Sequence, residues 1–218
     1  MKKLLKLFCF SLLLFCAGAN LAQAEVFYWE SPDGDVSVTF PDRWRQSHNQ
    51  SAGDVLTVNG AGANDFATCR LNVVPEGRFK IYPVDYSPQI QRTNFSRAYW
   101  EHYFNQYSNP VLYEVRDDAA LGRGFASMAE GEFETAQGAK MMKRGVAVVS
   151  FYDNSVRTVE CSAEQSAYEH WKPAFMSFIK SVDFKPHTNY AISGYYREFD
   201  KDRRLKISGH TMLDDVYR

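Results

Sequence analysis

The sequence lacks the motifs by which most enzyme classes are recognised. It contains no G-x-S-x-G, no H-E-x-x-H, no phosphate-binding loop and no dinucleotide-binding glycine pattern. The histidines, which do not have the spacing of metal ligands, are His48, His102, His170, His187 and His210. We therefore expect a protein that is not an enzyme and that has no catalytic residue, cofactor or metal ligand. Catalytic side chains that converge only in the folded chain would escape this prediction.

Long apolar runs are absent except at the N-terminus. There, three lysines precede the apolar run Leu7–Ala17, which is too short to span a bilayer comfortably, and a small-x-small triplet ends at Ala24. This pattern predicts that residues 1–24 are a signal peptide and that cleavage falls between Ala24 and Glu25. The alternative is an uncleaved N-terminal anchor. With cleavage, the protein is periplasmic or secreted and has no transmembrane segment.

A surplus of basic residues is absent as well. The formal net charge of the whole chain is −1, and residues 1–24 carry three lysines and no acid, so the mature chain has a charge of −4. Proteins that bind nucleic acid need clustered lysine and arginine side chains to neutralise phosphates. The composition therefore argues against nucleic acid as a partner.

Cysteine is scarce in the mature chain. Cys9 and Cys16 are lost with the signal peptide, so that Cys69 and Cys161 remain. In an oxidising compartment an isolated pair of this kind most often forms a structural disulfide, and there is no C-x-x-C sequence to indicate a redox pair. We expect a Cys69–Cys161 bridge that ties the start of the last helix to an early strand.

The remaining chain shows many short segments typical of β-strands. Turn signals at residues 31–34 and at Asp153-Asn154 predict two hairpins. In the first hairpin, Val36, Val38 and Phe40 alternate toward the core. The predicted strands are Val26–Glu30, Asp35–Phe40, Asp54–Val58, Ala67–Val74, Val111–Arg116, Gly124–Glu134, Lys140–Tyr152 and Ser155–Cys161.

Two segments have a helical period. The first, Pro88–Tyr107, repeats an aromatic residue every fourth position, which indicates a face packed on a sheet or, alternatively, an aromatic box for a small molecule or lipid. The second, Ala163–Val182, carries its apolar residues on one side and contains Pro173, which we expect to bend it or to begin a second segment. The sequence thus predicts an α+β domain over residues 25–184, in which two helices cover an antiparallel sheet.

Residues 185–218 differ in composition and form a charged C-terminal extension. We interpret them as a solvated hairpin or tail, because the charges alternate in sign. The alternative is a docking element for an acidic partner or a membrane surface. Its basic residues are Arg197, Lys201, Arg203, Arg204 and Lys206.

Two short motifs carry a family resemblance. FPDRW, residues 40–44, and FMSFIKSVDF, residues 175–184, resemble the F-P-x-x-W and F-x-x-I-x-x-S-x-x-F patterns common in the PsbP-like α/β sandwich family and its DcrB-type periplasmic branch. The resemblance covers roughly residues 26–184 and implies a PsbP-like sandwich fold. Known members are accessory subunits of photosystem II, partners of small GTPases or envelope proteins, and none supplies a catalytic set to transfer to this chain.

The resemblance and the missing motifs lead to one main functional hypothesis. We expect an exported, non-catalytic envelope protein that binds another protein as an assembly or stress accessory. Two alternatives remain at this point: a periplasmic inhibitor or immunity protein that blocks a toxin or hydrolase, and a binder of a small molecule or lipid.

The predicted bridge can be tested by counting thiols. Mature protein that is freshly isolated from the periplasm and denatured should contain no free thiol, because both remaining cysteines are paired. Reaction with a chromogenic thiol reagent, before and after reduction, measures this. Two free thiols before reduction would contradict the bridge.

Overall fold

In the described chain the strands and helices come in separate runs, five strands, two helices, four strands, one helix and a last strand, which is the α+β order predicted. The computed structural model describes residues 25–49, 51–62, 64–83, 86–135 and 140–186. Within these ranges the strands are β1 Val26–Glu30, β2 Val36–Pro41, β3 Arg45–Gln46, β4 Asp54–Asn59, β5 Thr68–Pro75, β6 Ser108–Leu121, β7 Gly124–Glu134, β8 Met142–Tyr152, β9 Ser155–Glu164 and β10 Asp183–Phe184. The helices are α1 Ser87–Asn94, α2 Arg97–Phe104 and α3 Tyr168–Ser181.

The larger sheet contains seven of the described strands, in the order β3-β4-β5-β9-β8-β7-β6. All of its neighbouring strands are antiparallel. The hairpin predicted at Asp153-Asn154 is confirmed, and both turn residues have positive φ, as a two-residue hairpin turn requires. Asparagine and aspartate accept this conformation more readily than most other residues.

A smaller sheet is formed by β1, β2 and β10, in that order. The predicted N-terminal hairpin is therefore confirmed, but it lies in its own sheet and not in the larger one. Its turn is fixed by the hydroxyl of Ser31, which accepts hydrogen bonds from the amides of Asp35 and Val36 at 3.1 Å each. Val36, Val38 and Phe40 are buried, as their alternation predicts.

Both faces of the larger sheet are covered. On β8, Val146 and Val148 lie in the core under α3 and the small sheet, whereas Ala147 and Val149 lie in the core under α1 and α2. This is why the strand reads as a nearly continuous apolar run. The larger sheet thus lies between two layers: α1 and α2 cover one face, and α3 together with the small sheet covers the other. This is the sandwich expected from the sequence.

The single helix predicted over Pro88–Tyr107 is wrong, because the structure divides it into α1 and α2. Asn94 ends α1, and Ser96 has an extended backbone, with φ −80° and ψ −169°. Both residue types compete with helical hydrogen bonds through their side chains. A tertiary contact also favours the break, because the side chain of Gln91 holds α1 to β8. Its amide N–H donates to the carbonyl of Val149 at 3.2 Å, and its oxygen accepts from the amide of Phe151 at 2.6 Å.

The last helix is shorter than the predicted Ala163–Val182. β9 continues through Ala163 to Glu164, because β8 offers hydrogen-bond partners as far as Lys143. The helix begins at Tyr168 and runs without interruption through Pro173 to Ser181, so Pro173 does not start a separate segment. Pro173 is exposed, so its ring is on the solvent side of α3.

The two sequence motifs meet in the folded chain. Phe178 of α3 lies beside Phe40 and stacks on Trp44, with ring centroids 6.2 Å and 5.9 Å apart. Ser181 bonds the backbone of β2, accepting from the amide of Thr39 at 3.1 Å and lying 2.7 Å from its carbonyl oxygen. Phe178 occupies the position at which the family pattern has isoleucine. Residues of the two motifs thus form the contact between α3 and the small sheet.

Removing the Phe178 ring should destabilise the protein strongly. Phe178 is 2% exposed, and truncating a buried phenylalanine to alanine costs about 3–5 kcal/mol. We expect Phe178→Ala to lower the free energy of unfolding in urea by that amount. Ser177→Ala, at the neighbouring exposed position of the same helix, is the control and should change it by less than about 0.5 kcal/mol. Equal effects of the two variants would contradict the packing role.

Candidate binding surface

The structure contains the Cys69–Cys161 disulfide. The two residues face each other on the neighbouring strands β5 and β9, and both are completely buried. The bridge therefore joins two adjacent strands of the larger sheet. It does not tie α3 to an early strand as expected, because β9 continues for three residues beyond Cys161.

Several residues singled out by the sequence lie outside the described part of the chain. These are Ala24 and the five basic residues of the extension, Arg197, Lys201, Arg203, Arg204 and Lys206. Glu25 is described: it is exposed, and its carbonyl oxygen accepts a hydrogen bond from the amide of Asp42 at 3.1 Å.

Metal-ligating side chains are not clustered in the described ranges. No group of three or more His, Cys, Asp and Glu side chains there could hold a metal ion. His102 and His170 are exposed. No helix of the described chain is long and apolar enough to cross a membrane.

A buried ion pair of the larger sheet binds the hydroxyl groups of Tyr103 in α2 and of Tyr107 just beyond the end of α2. Arg70 of β5 lies opposite Glu160 of β9, and their side chains are 3.0 Å apart. Tyr107 donates a hydrogen bond to the same carboxylate at 2.7 Å, and Tyr103 also donates to it. The tyrosines predicted to face the sheet thus reach it through their hydroxyl groups, and no pattern in the sequence indicates Glu160 as their shared acceptor.

Burial and the neighbouring charge change the pKa values in this cluster. Burial, followed by the negative charge of Glu160, raises the pKa of Tyr103 well above its usual value, and the pKa of Tyr107 rises for the same two reasons. Burial lowers the pKa of Lys143 on β8, and the charge of Glu160 opposes this shift. The phenols therefore stay neutral and donate hydrogen bonds.

Among the clefts of the described structure, two small ones adjoin α2. One, with a volume of about 100 Å³, lies beside Arg70, Glu160 and Tyr103. The other, about 190 Å³, lies between Phe104 and Leu112. Ligand pockets usually measure about 300–1,000 Å³, so neither cleft favours the small-molecule hypothesis. The buried rings Phe95, Trp100 and Phe104 pack on the sheet instead.

A second buried carboxylate lies on the opposite face of the sheet. Glu130 of β7 is paired with Arg144 of β8 and with Lys172 of α3, the latter at 2.7 Å. Arg144 also bonds Glu169 at 3.0 Å and lies over the ring of Tyr168. Like Glu160, Glu130 is surrounded by partners that tie a helix to the sheet, which is a structural arrangement.

The outer edges of the two sheets differ in how far they are protected. The edge strands β3 and β10 have only two residues each. β6 is long, but its register with β7 shifts at three places and it contains Pro110, both of which hinder pairing with another strand. β1 has five residues, an unbroken register with β2 and no proline.

β1 also exposes large apolar side chains. Val26, Phe27 and Tyr28 are 67%, 51% and 58% exposed. The surrounding hairpin is acidic: residues 25–42 contain Glu25, Glu30, Asp33, Asp35 and Asp42 but no lysine, arginine or histidine. We call this exposed strand, with its acidic ends, the β1 edge. The sequence predicted the strand, but its position at an open edge follows only from the sheet order.

The similarity of this chain to known proteins is found among solved structures. No protein-family model matches the sequence, and no curated protein matches it significantly. The chain is similar to cyanobacterial PsbP (CyanoP) from Synechocystis sp. PCC 6803, with 12% identity, 78% of this chain and 98% of that chain covered, and a TM-score of 0.48. The chain is also similar to LpqN, involved in cell envelope biogenesis of Mycobacterium tuberculosis, with 14% identity, 74% of this chain and 91% of that chain covered, and a TM-score of 0.47.

The Ran-binding protein Mog1p of Saccharomyces cerevisiae is also similar, with 4% identity, 74% of this chain and 96% of that chain covered, and a TM-score of 0.45. The likeness to PsbP that the two motifs predict is therefore seen among solved structures.

The tyrosine cluster predicts a loss of stability at alkaline pH. The pKa values of Tyr103 and Tyr107 are raised on folding, so their contribution is complete below the unfolded value of 10.0 and is lost as pH rises above it. The variant Tyr103→Phe/Tyr107→Phe should therefore lose less unfolding free energy than the wild type between about pH 9 and 11, as measured by urea denaturation.

Two features limit the size of this effect. Tyr99 and Tyr168 also have raised pKa values through burial, so some alkaline dependence should remain in the variant. The lowered pKa of Lys143 acts in the opposite direction in both proteins. Tyr82→Phe, at a half-exposed position, is the control and should behave as the wild type does. A double variant with an unchanged pH profile would contradict the prediction.

Proposed function

We propose that this protein is an exported, non-catalytic protein of the cell envelope that binds another protein. The observation that carries the proposal is the β1 edge, an unprotected edge strand on which three large apolar side chains remain exposed. Exposed apolar surface with a polar rim is typical of interaction sites. Export rests on the predicted signal peptide, and it gives a periplasmic location after cleavage at Ala24.

The polar interior supports a structural role for the buried charges. Glu160 and Glu130, the two buried carboxylates at the helix contacts, are each matched by a cation and by further polar groups. Such saturated pairs hold elements together and do not offer a free group to a substrate. We therefore place the functional surface on the outside of the molecule, at the β1 edge.

Site-specific crosslinking in the native envelope tests this function. A photoreactive phenylalanine analogue at Tyr28 should, after irradiation of intact cells, form a covalent adduct with a specific envelope protein, because Tyr28 is exposed on β1. The same analogue at His102, exposed on α2, is the control and should not give that adduct. Adducts are identified by mass spectrometry.

The identity of the adduct separates the functional hypotheses. A structural or assembly protein of the envelope would support the accessory role, whereas a toxin or hydrolase would support the inhibitor alternative. The absence of any adduct specific to position 28, in cells that export the variant normally, would contradict protein binding at the β1 edge.

A further inference from the structure

We infer that the β1 edge binds its partner by strand addition, in which an extended segment of the partner pairs with β1 as a fourth strand of the small sheet. The inference rests on the proposed protein-binding function and specifies its mode and the chemistry of the partner. The partner segment is extended, alternates apolar side chains and carries basic residues near its ends.

The backbone of β1 shows which groups are open to a new strand. In an antiparallel pair, residues alternate between those bonded to the partner strand and those whose N–H and C=O point away from it. The amide of Ser31 bonds the carbonyl of Val36, and the amide of Asp42 bonds the carbonyl of Glu25, which fixes the odd-numbered residues as the bonded set. Phe27 and Trp29 therefore bond β2.

It follows that the intervening residues Val26, Tyr28 and Glu30 direct both of their backbone groups toward the free side of β1. No described strand pairs with that side. These three residues offer up to about six hydrogen bonds in a row, the arrangement on which recognition by strand addition depends. The other extended free edge, that of β6, is interrupted by register shifts and by Pro110.

Side chains indicate what the added strand would carry. Phe27 pairs with Phe40, whose buried ring lies 5.3 Å from it, so the Phe27 side chain is on the core side of the small sheet but remains half exposed at the edge. A neighbouring strand would place an apolar side chain beside Phe27 and complete the cover of this ring. Val26 and Tyr28 offer a second apolar surface on the outer side.

Charge specifies the ends of the added strand. Glu25 and Glu30 stand at the two ends of β1, and the hairpin that contains it has five acidic residues and no basic one. Like charges opposite each other destabilise paired strands, whereas opposite charges stabilise them. A basic segment is therefore favoured, and its affinity should fall with salt because these carboxylates are exposed.

Hydrogen exchange measured by NMR on the mature chain tests the inference directly. The probe is a synthetic extended peptide with lysine at both ends and alternating valine and threonine between them. At a peptide concentration about ten times Kd, amide exchange should slow about tenfold at Val26, Tyr28 and Glu30, because only the unbound fraction still exchanges. Phe27 and Trp29 already bond β2, so their exchange should change little.

Two control peptides separate strand addition from adhesion to an apolar patch. A peptide methylated at alternate backbone nitrogens keeps the side chains but loses the donors, and it should not bind. A peptide with glutamate in place of lysine should bind at least about tenfold more weakly at low salt. Equal binding of all three peptides, or protection without alternation along β1, would overturn the inference.

A matched pair of variants tests the same point in the protein. Tyr28→Pro removes an amide that faces the free side, where proline is tolerated in an edge strand, and should abolish peptide binding. Tyr28→Thr removes the same ring but keeps the amide, and should retain at least about a tenth of the affinity, given the size of cross-strand side-chain pairs. Identical losses in both variants would show that the ring alone binds the peptide.

The other possible occupants of the edge give different results. A second copy of this chain would protect the alternate amides without peptide, in a manner that depends on protein concentration in sedimentation experiments. Residues 187–218, the part of the chain's own extension that lies outside the described residues, would protect them independently of concentration. Either result would overturn the inference of a partner strand.

The inference and the proposed function can fail separately. If position 28 crosslinks an envelope protein but the peptide protects no alternate amides, protein binding stands and strand addition fails. If the peptide protects Val26, Tyr28 and Glu30 but no envelope protein is captured, strand addition stands and the proposed function fails.

Discussion

The contact between α3 and β2 is the interaction on which the rest of the structure depends. The ring of Phe178 lies against Phe40 and Trp44, and Ser181 bonds the backbone of Thr39. These residues are far apart in sequence, so the contact joins the N-terminal part of the domain to its C-terminal part. It buries the apolar face of α3 and the inner face of the β1–β2 hairpin at once, which neither element could achieve alone. Among the described strands the hairpin pairs only with the two-residue strand β10, so side-chain packing holds it in place.

The polar clusters complement this apolar contact on the two faces of the larger sheet. Glu160 receives Arg70 and the two tyrosine hydroxyls beneath α2, and Glu130 receives Arg144 and Lys172 beneath α3. A buried ion pair contributes little net stability, but removing one partner leaves an uncompensated charge at a cost of about 3–5 kcal/mol. Such clusters therefore favour a single position of each helix on the sheet. The disulfide between β5 and β9 fixes the pairing of the strands that carry Arg70 and Glu160.

The same architecture accounts for the open β1 edge. α3 covers the inner face of the small sheet and β10 pairs with one side of β2, so the remaining side of β1 has no partner among the described elements. The long edge of the larger sheet is protected by bulges and proline, whereas β1 is regular, apolar and flanked by acids. Natural proteins usually block such edges, because an open strand edge is a template for pairing with another chain. This difference between the two edges supports the proposal that another protein binds at β1.

The sequence by itself determined the α+β class, most strands, the Asp153-Asn154 turn, the apolar face of α3 and the cysteine pair. These features depend on local periodicity, on turn chemistry and on the small number of cysteines. Only the tertiary structure decided the break between α1 and α2, where Gln91 bonds β8, and the extension of β9 beyond Cys161, where β8 supplies partners. It also brought Glu160 to Tyr103 and Tyr107, and it placed β1 at an open edge. Sheet order and buried charge pairing arise from contacts between residues distant in the chain, and no local pattern encodes them.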